Sequence, residues 1–240
     1  MFYSHLSQKI MASRGNYARV GNLRAIAFFT VTTVLILIVI HLLFYGCSSH
    51  AATKNIKSAG SAVNWESILD TFRGAPEEEL QAHLMMAVAY ANLGMIPEAT
   101  REFRIIDAAG YNEFGKRIIR ESRKRVEDSP EDIISLNLLG FAYYAFGNYS
   151  ESLYCFQSLL ELDPMNVWIH HYYAYCLSRV DRMDEAVEIL KAAARIDPSN
   201  SYTHLLLGLA YRENRQYLLS IFELARAGKA ISELAGLADH

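Results

Sequence analysis

Part of the chain repeats itself with a fixed period. The segment LDPMN at 162–166 returns as IDPSN at 196–200. The segments that precede these endings also correspond in their small and aromatic or leucine residues, at 139–144, 173–178 and 207–212. A fixed period between about 20 and 50 residues indicates stacked repeats, because one short unit cannot bury its own apolar face and needs its neighbours to complete a core.

The repeats divide into pairs of helices. Apolar residues recur every three to four positions, which predicts helices, and each period is interrupted by a turn near its middle. Four helix–turn–helix units follow from this pattern: 80–113, 133–166, 167–200 and 201–234. The phase breaks once, at 114–128, where FGKRIIRESRKRVED predicts an inserted amphipathic helix. We therefore expect residues 63–240 to form an all-α solenoid.

The pattern resembles that of the tetratricopeptide repeat family, in which each unit is a pair of antiparallel helices. The resemblance is carried by small residues where two helices must approach closely. They are Gly140, Ala174 and Gly208 on the first helices and Ser152, Ala186 and Ser220 on the second helices. Two turn positions that the family usually gives to glycine hold Asp181 and Arg215.

The resemblance implies a concave groove, lined by the first helices, that binds peptides or helices of other proteins. Carried over by position, the groove residues are Asn137, Phe141, Tyr144, Trp168, His171, Tyr175, Tyr202 and Arg212. Packing between helices is the alternative role for the aromatic side chains. Leu84 and Val88 stand where one branch of the family holds a partner's terminal carboxylate, so such a clamp is not expected.

The inserted segment 114–128 is strongly basic on one side. Its cations are Lys116, Arg117, Arg120, Arg123, Lys124 and Arg125. Two interpretations stay open for this basic helix. It is either a solvated helix face or a docking site for an acidic partner or for lipid head groups, which clustered Lys and Arg residues attract.

Residues 25–46 predict a transmembrane helix that precedes the solenoid. No charged residue occurs from Ala25 to Tyr45, and about 21 residues at 1.5 Å each span roughly 31 Å, which matches a hydrocarbon core of about 30 Å. A cleaved secretory signal is the alternative, but its apolar region is only about 7–15 residues long. Cys47 resembles a bacterial lipoprotein cleavage site, and an ordinary cysteine next to the membrane is the other interpretation.

Lys and Arg residues flank this span unequally. The basic segment 1–24 holds four of them, and the small, polar tether 47–62 holds two. Because the more basic flank stays in the cytoplasm, this bias predicts a cytoplasmic N-terminus. We expect a single-pass protein of the bacterial inner membrane, with its repeats on the periplasmic side.

The composition and motifs predict binding rather than catalysis. No nucleophile elbow, glycine-rich phosphate loop or HExxH motif is present, and the adjacent His170 and His171 point about 100° apart on a helix. We therefore expect no catalytic residue, metal, cofactor or small-molecule substrate. Beyond residue 58 lie 17 of the 23 basic residues and all 26 acidic ones. This net charge of about −9 argues against a nucleic-acid partner.

The predicted function is a non-enzymatic scaffold or assembly factor for other proteins, held at a membrane by residues 25–46. The alternative is a constitutive structural subunit of a large envelope complex, such as a secretion, pilus, motor or respiratory assembly. Both functions rest on the repeats and on the apolar segment.

Overall fold

A computed structural model of the chain describes residues 63–76, 78–109 and 111–238. Every regular element in these ranges is a helix, which confirms the predicted all-α repeat fold. The helices are α1 Trp65–Phe72, α2 Leu80–Leu93, α3 Ile96–Ala108, α4 Tyr111–Asp128, α5 Ile133–Ala145, α6 Tyr149–Leu162, α7 Val167–Arg179, α8 Met183–Ile196, α9 Ser201–Glu213, α10 Tyr217–Arg226 and α11 Gly228–Ala238.

The segments predicted to anchor the protein, residues 1–24, 25–46 and 47–62, lie outside the described ranges. Among the helices that are described, none combines the length and the apolar character needed to cross a membrane.

Side-chain caps start the first helix of each regular unit. Asp132, Asn166 and Asn200 each accept hydrogen bonds from the backbone N–H groups two and three residues further on, at 3.1–3.3 Å. These bonds satisfy donors that a helix end otherwise leaves without partners. The three caps are spaced by one full repeat, so each first helix begins at the same point of its unit.

The turn inside each unit contains a residue in the left-handed conformation. Gly94 and Gly147 have φ angles of 74° and 75°, and Asp181 and Arg215 adopt 61° and 58°. Glycine enters this region without steric cost, whereas other residues lose about 1–2 kcal/mol there. The geometry of the turn is therefore kept in the last two units even where the glycine is absent.

Small residues bring the two helices of a unit together, as predicted. Ser152 Oγ donates to the Gly140 carbonyl at 2.9 Å, and Ser220 Oγ donates to the Gly208 carbonyl at 2.7 Å. Both bonds are buried. A methyl group added at Gly140 would lie 3.1 Å from Cys155 Cβ, which shows how closely α5 and α6 approach.

The inserted helix changes how the first unit packs. Helix α4 packs along α5 in the way that the second helix of each regular unit packs along the first helix of the next unit, α6 on α7 and α8 on α9. In contrast, α3 has little contact with α4. The buried side chains of α4 include Phe114, Ile118, Ser122 and Val126. The hairpin α2–α3 contacts later helices instead: α2 reaches α5 and α7, and α3 reaches α11. The first unit thus lies against the first helices of the units that follow.

Candidate partner-binding surface

The hairpin α2–α3 covers part of the expected groove. Asn137 and Phe141 on α5 are only 1% and 2% exposed, so their expected position on an open surface is wrong. Asn137 Oδ1 accepts from Asn92 Nδ2 of α2 at 2.8 Å, and the Phe141 ring lies 5.9 Å from that of Phe103 on α3. These two residues bind the protein's own first unit.

Three asparagines, of which Asn92 and Asn137 are buried and Asn166 is half-buried, join α2, α5 and the start of α7 through their amide groups. Asn92 donates to Asn137, and Asn166 Nδ2 donates to Asn92 Oδ1 at 3.0 Å. Asn92 and Asn137 also donate to the carbonyls of Val88 and Ile133, both at 2.9 Å. A buried polar group is costly unless it is paired, so this chain of amides fixes one position for the hairpin.

The Trp168 ring packs against the turn between α2 and α3. It covers Gly94 so closely that an added Cβ there would lie 2.0 Å from Trp168 Cζ2. The ring also meets His171 and Tyr202 edge-on, with centroids 5.1 and 5.6 Å away. Trp168 is half-buried and lies where α2, α7 and α9 come together.

His171 and Tyr202, two further residues expected in the groove, are buried as well. His171 Nε2 is hydrogen-bonded to Thr203 Oγ1 at 2.7 Å, and burial, with help from His170, lowers its pKa to about 3. The Tyr202 hydroxyl donates to Glu233 Oε2 of α11 at 2.8 Å. Burial and this carboxylate raise the pKa of Tyr202 well above its ordinary value. Both side chains are therefore uncharged interior groups at neutral pH.

We expect His171 to make the fold sensitive to acid. Its ring titrates with a pKa near 6.5 when unfolded and near 3 when folded, so between these values only the unfolded chain takes up the proton. Stability should fall as the pH drops from 6.5 towards 3, by up to about 1.4 kcal/mol per pH unit from this residue. Urea unfolding of His171→Gln should show a correspondingly weaker pH dependence, because glutamine does not titrate. Parallel curves for the variant and the wild type would contradict this prediction.

Tyr144, Tyr175 and Arg212 remain partly accessible. Tyr144, Tyr149 and Tyr175 form a tyrosine cluster between two units, with ring centroids 5.4–6.0 Å apart. The guanidinium of the exposed Arg179 lies 5.3 Å from the centre of the Tyr149 ring. Burial raises the pKa of Tyr175 to about 12, so its phenol stays neutral. Tyr144 and Tyr175 of this cluster are therefore accessible residues of the expected groove, together with Trp168 and Arg212.

Sequence reasoning omitted Tyr149 and Arg179 because it considered only the inward faces of the first helices. Tyr149 opens α6, a second helix, and Arg179 is the last residue of α7. Arg212 lies on α9 and pairs with Glu213 at 3.3 Å.

The basic helix of the sequence is α4, and its six cations are all exposed. Three of them have partners on the helix itself or on its neighbour: Lys116 pairs with Glu113 at 2.8 Å, Arg117 lies over the Phe114 ring, and Arg123 donates to the Tyr143 hydroxyl of α5. Arg123 thus helps α4 pack on α5. Docking of an acidic partner or of lipid head groups by this face stays a prediction.

The second helix of the last unit carries an apolar surface that sequence reasoning missed. We call it the α10 surface, and its members are 48–84% exposed: Tyr217, Leu218, Leu219, Ile221 and Phe222. A comparison of the repeats could have found it. Leu218 and Phe222 occupy the positions held one repeat earlier by the charged Asp184 and Glu188.

The cysteines of the regular units are interior groups. Cys155 and Cys176 are both fully buried, and burial raises the pKa of each thiol to about 12. Cys176 Sγ donates to Ser152 Oγ at 3.5 Å, which links α7 to α6. These thiols behave as small packing residues.

Stacked helix pairs with small residues at their crossings define the class of this protein as an α-helical repeat protein. Residues 143–210 match the tetratricopeptide repeat family, which supports the resemblance found in the sequence. The match covers the regular middle of the chain. No curated protein matches.

A solved structure of MamA shares the fold. The structure is similar to "MamA 41-end" from Desulfovibrio magneticus RS-1, with a TM-score of 0.50 and 15% identity over 70% of this chain and 94% of that one. MamA from AMB-1 in crystal form C2221 has a TM-score of 0.48 and 15% identity, over 69% of this chain and 95% of that one. At such low identity the first likeness concerns the fold alone.

Proposed function

We propose that this protein is a non-enzymatic interaction scaffold or assembly factor that binds other proteins through the tyrosine cluster and Arg179. The tetratricopeptide match supports protein binding in general. The observation that carries the site is the partly exposed set of three tyrosine rings with one exposed cation at their edge. Tyrosine and arginine are enriched among the residues that dominate protein interfaces, because they combine a large apolar area with polar groups.

The arrangement suits a partner segment with an apolar side chain and an acidic group. The rings offer an apolar contact area, and Arg179 offers a positive charge beside it. Asn137 and Phe141 of the expected groove are covered by α2–α3, so the partner contacts the junction of α5, α6 and α7.

This proposal is tested by a charge reversal at the edge of the cluster. Partners of the full chain are identified by crosslinking in cells and mass spectrometry, and their yield is compared between the wild type and Arg179→Glu. We expect at least a tenfold loss of one partner, because the exposed guanidinium is replaced by a repelling carboxylate while the fold is kept. Arg195→Glu is the matched control, since Arg195 is exposed on α8 and undergoes the same charge change. Equal yields for both variants overturn the assignment of the site.

The membrane anchor belongs to this proposal and is supported by the uncharged run from Ala25 to Tyr45. The protein is held by residues 25–46 in the bacterial inner membrane, with the repeats in the periplasm. It should stay in the membrane pellet after alkaline carbonate extraction, and protease added to spheroplasts should digest the repeats. Release by carbonate contradicts the anchor. Protection of the repeats from protease contradicts the orientation.

A second candidate function is a constitutive structural subunit of a large envelope complex. It is favoured by the α10 surface, because contiguous apolar side chains exposed on one helix mark interfaces. Blue-native electrophoresis separates the two functions. A structural subunit migrates only in one large complex, whereas an assembly factor leaves a free pool.

A further inference from the structure

The α10 surface begins at the edge where the stack of repeats stops. Ile221 corresponds to Leu153 and Val187 of the two preceding units, which are 8% and 6% exposed. Those two residues sit on α6 and α8, which are covered by α7 and α9 of the next unit. Ile221 is 61% exposed on α10. In the described part of the chain, the unit 201–234 therefore presents a stacking edge on which no following unit is packed.

Helix α11 follows α10 but packs elsewhere. It contacts α9 and α3, and Glu233 of α11 accepts the hydrogen bond from Tyr202 of α9. Helix α11, which follows α10 in the sequence, therefore packs against the first helix α9 and does not cover α10. Among the helices that the structure describes, none beyond α9 packs on the edge formed by α10.

Next to Ile221, α10 carries apolar residues at two positions where α8 of the preceding unit carries charged ones. Asp184 and Glu188 are exposed on α8, as charged residues at solvated positions normally are. Their counterparts on α10 are Leu218 and Phe222, which are 84% and 61% exposed. A terminal repeat that only capped the stack needs a polar outer face. The apolar replacement points to a surface that is covered by another chain.

The size of the surface agrees with a pair of copies. Aromatic side chains bring about 150–250 Å² each and Leu and Ile bring less, so the five partly exposed residues leave on the order of 500 Å² of accessible surface in one chain. Two such surfaces together offer at most roughly 1,000 Å², which is about the lower limit for a specific interface.

The distribution of exposed apolar residues determines how two copies can meet. In the ranges that the structure describes, the other large exposed apolar residues are Met95, Tyr154 and Met165, each on a separate element. They offer no second apolar surface for a head-to-tail contact. A self-complementary contact related by a twofold axis needs only one surface, and it is the commonest arrangement in homo-oligomers.

The charge of α10 argues against a lipid surface as the occupant. Helices that lie on membranes carry several Lys or Arg residues on their polar face. The basic residue of α10 is Arg226, which lies 3.7 Å from Glu223 Oε2 and donates to the Pro198 carbonyl. We propose that the α10 surface pairs with the α10 surface of a second copy of this chain, in a twofold-symmetric dimer that is independent of the tyrosine cluster.

The experiment uses the full chain in liposomes and a photoreactive phenylalanine analogue at position 222. Light and ¹⁵N-labelled copies are mixed before reconstitution, and crosslinked peptides are identified by mass spectrometry after irradiation. We expect mixed-isotope peptides that join position 222 to residues 217–226 of the other copy. The same analogue at position 154 is the matched control, because Tyr154 is as exposed as Phe222 and occupies the same repeat position on α6.

Two substitutions add a second readout. Leu218→Glu should lower the yield of the crosslinked dimer at least tenfold, since Leu218 is exposed and its replacement leaves the core intact. Tyr154→Glu should leave the yield unchanged. The proposal is overturned by crosslinks to lipid alone, by links between copies that avoid α10, by equal yields at positions 222 and 154, or by the absence of any link.

Discussion

Gly94→Ala should lower the free energy of unfolding by about 2–4 kcal/mol, which is the largest effect that we expect from adding one methyl group to this chain. Gly94 has a φ of 74°, a conformation that costs alanine about 1–2 kcal/mol. Its added Cβ would also lie 2.0 Å from Trp168 Cζ2, so the indole of α7 must move away from the end of α2. Loss of this contact weakens the docking of the α2–α3 hairpin.

Gly147→Ala is the control for this prediction. Gly147 occupies the same turn in the next unit with a φ of 75°, but an added Cβ there has only Tyr149 Cε2 nearby, at 3.9 Å. Its expected loss is the backbone term alone, about 1–2 kcal/mol. Urea unfolding followed by far-ultraviolet circular dichroism measures both variants. Equal losses would mean that Trp168 does not hold the hairpin.

Gly208→Ala is the second substitution from which we expect a large effect. The added Cβ would lie 2.6 Å from Leu224 Cγ and 3.1 Å from the Leu224 backbone nitrogen, so α10 itself must move. Overpacking of this kind costs about 1–3 kcal/mol, which alanine's better helix propensity offsets by about 1 kcal/mol. We expect a net loss of up to about 2 kcal/mol and a lower melting temperature.

Gly140→Ala tests the same position two units earlier. Its nearest atoms would be Cys155 Cβ at 3.1 Å and Phe156 Cε1 at 3.2 Å, which are side chains that can shift by a few tenths of an ångström. The gain in helix propensity should then nearly cancel the strain. Ala174 holds this position in the unit between them and is buried. A loss at Gly140 that equals the loss at Gly208 would contradict the difference in packing.

The sequence alone determined the local features of the fold. The phase of the repeat predicted where α5 to α10 run, because caps, turns and apolar periodicity act within a few residues of one another. Asp132, Asn166 and Asn200 start their helices at equivalent positions for this reason. The small residues at the helix crossings were also visible, since close approach excludes large side chains.

Part of the expected site was wrong because burial depends on contacts between distant segments. Asn92 and Asn166 are hydrogen-bonded across 74 residues of sequence, and no local pattern indicates that pair. The inserted helix α4 takes the packing position beside α5 and leaves α2–α3 to cover later first helices. Asn137 and Phe141 therefore became interior residues, whereas Tyr144 and Tyr175 stayed partly accessible.

The repeated stretch 133–200 thus specifies how neighbouring helices stack, because the same small set of contacts recurs in each unit. It does not specify which faces stay open. That was decided by the two helices that leave the periodic arrangement, α4 before the regular units and α11 after them. Their positions depend on contacts between segments far apart in the sequence, a property of the tertiary structure that a periodic pattern does not contain.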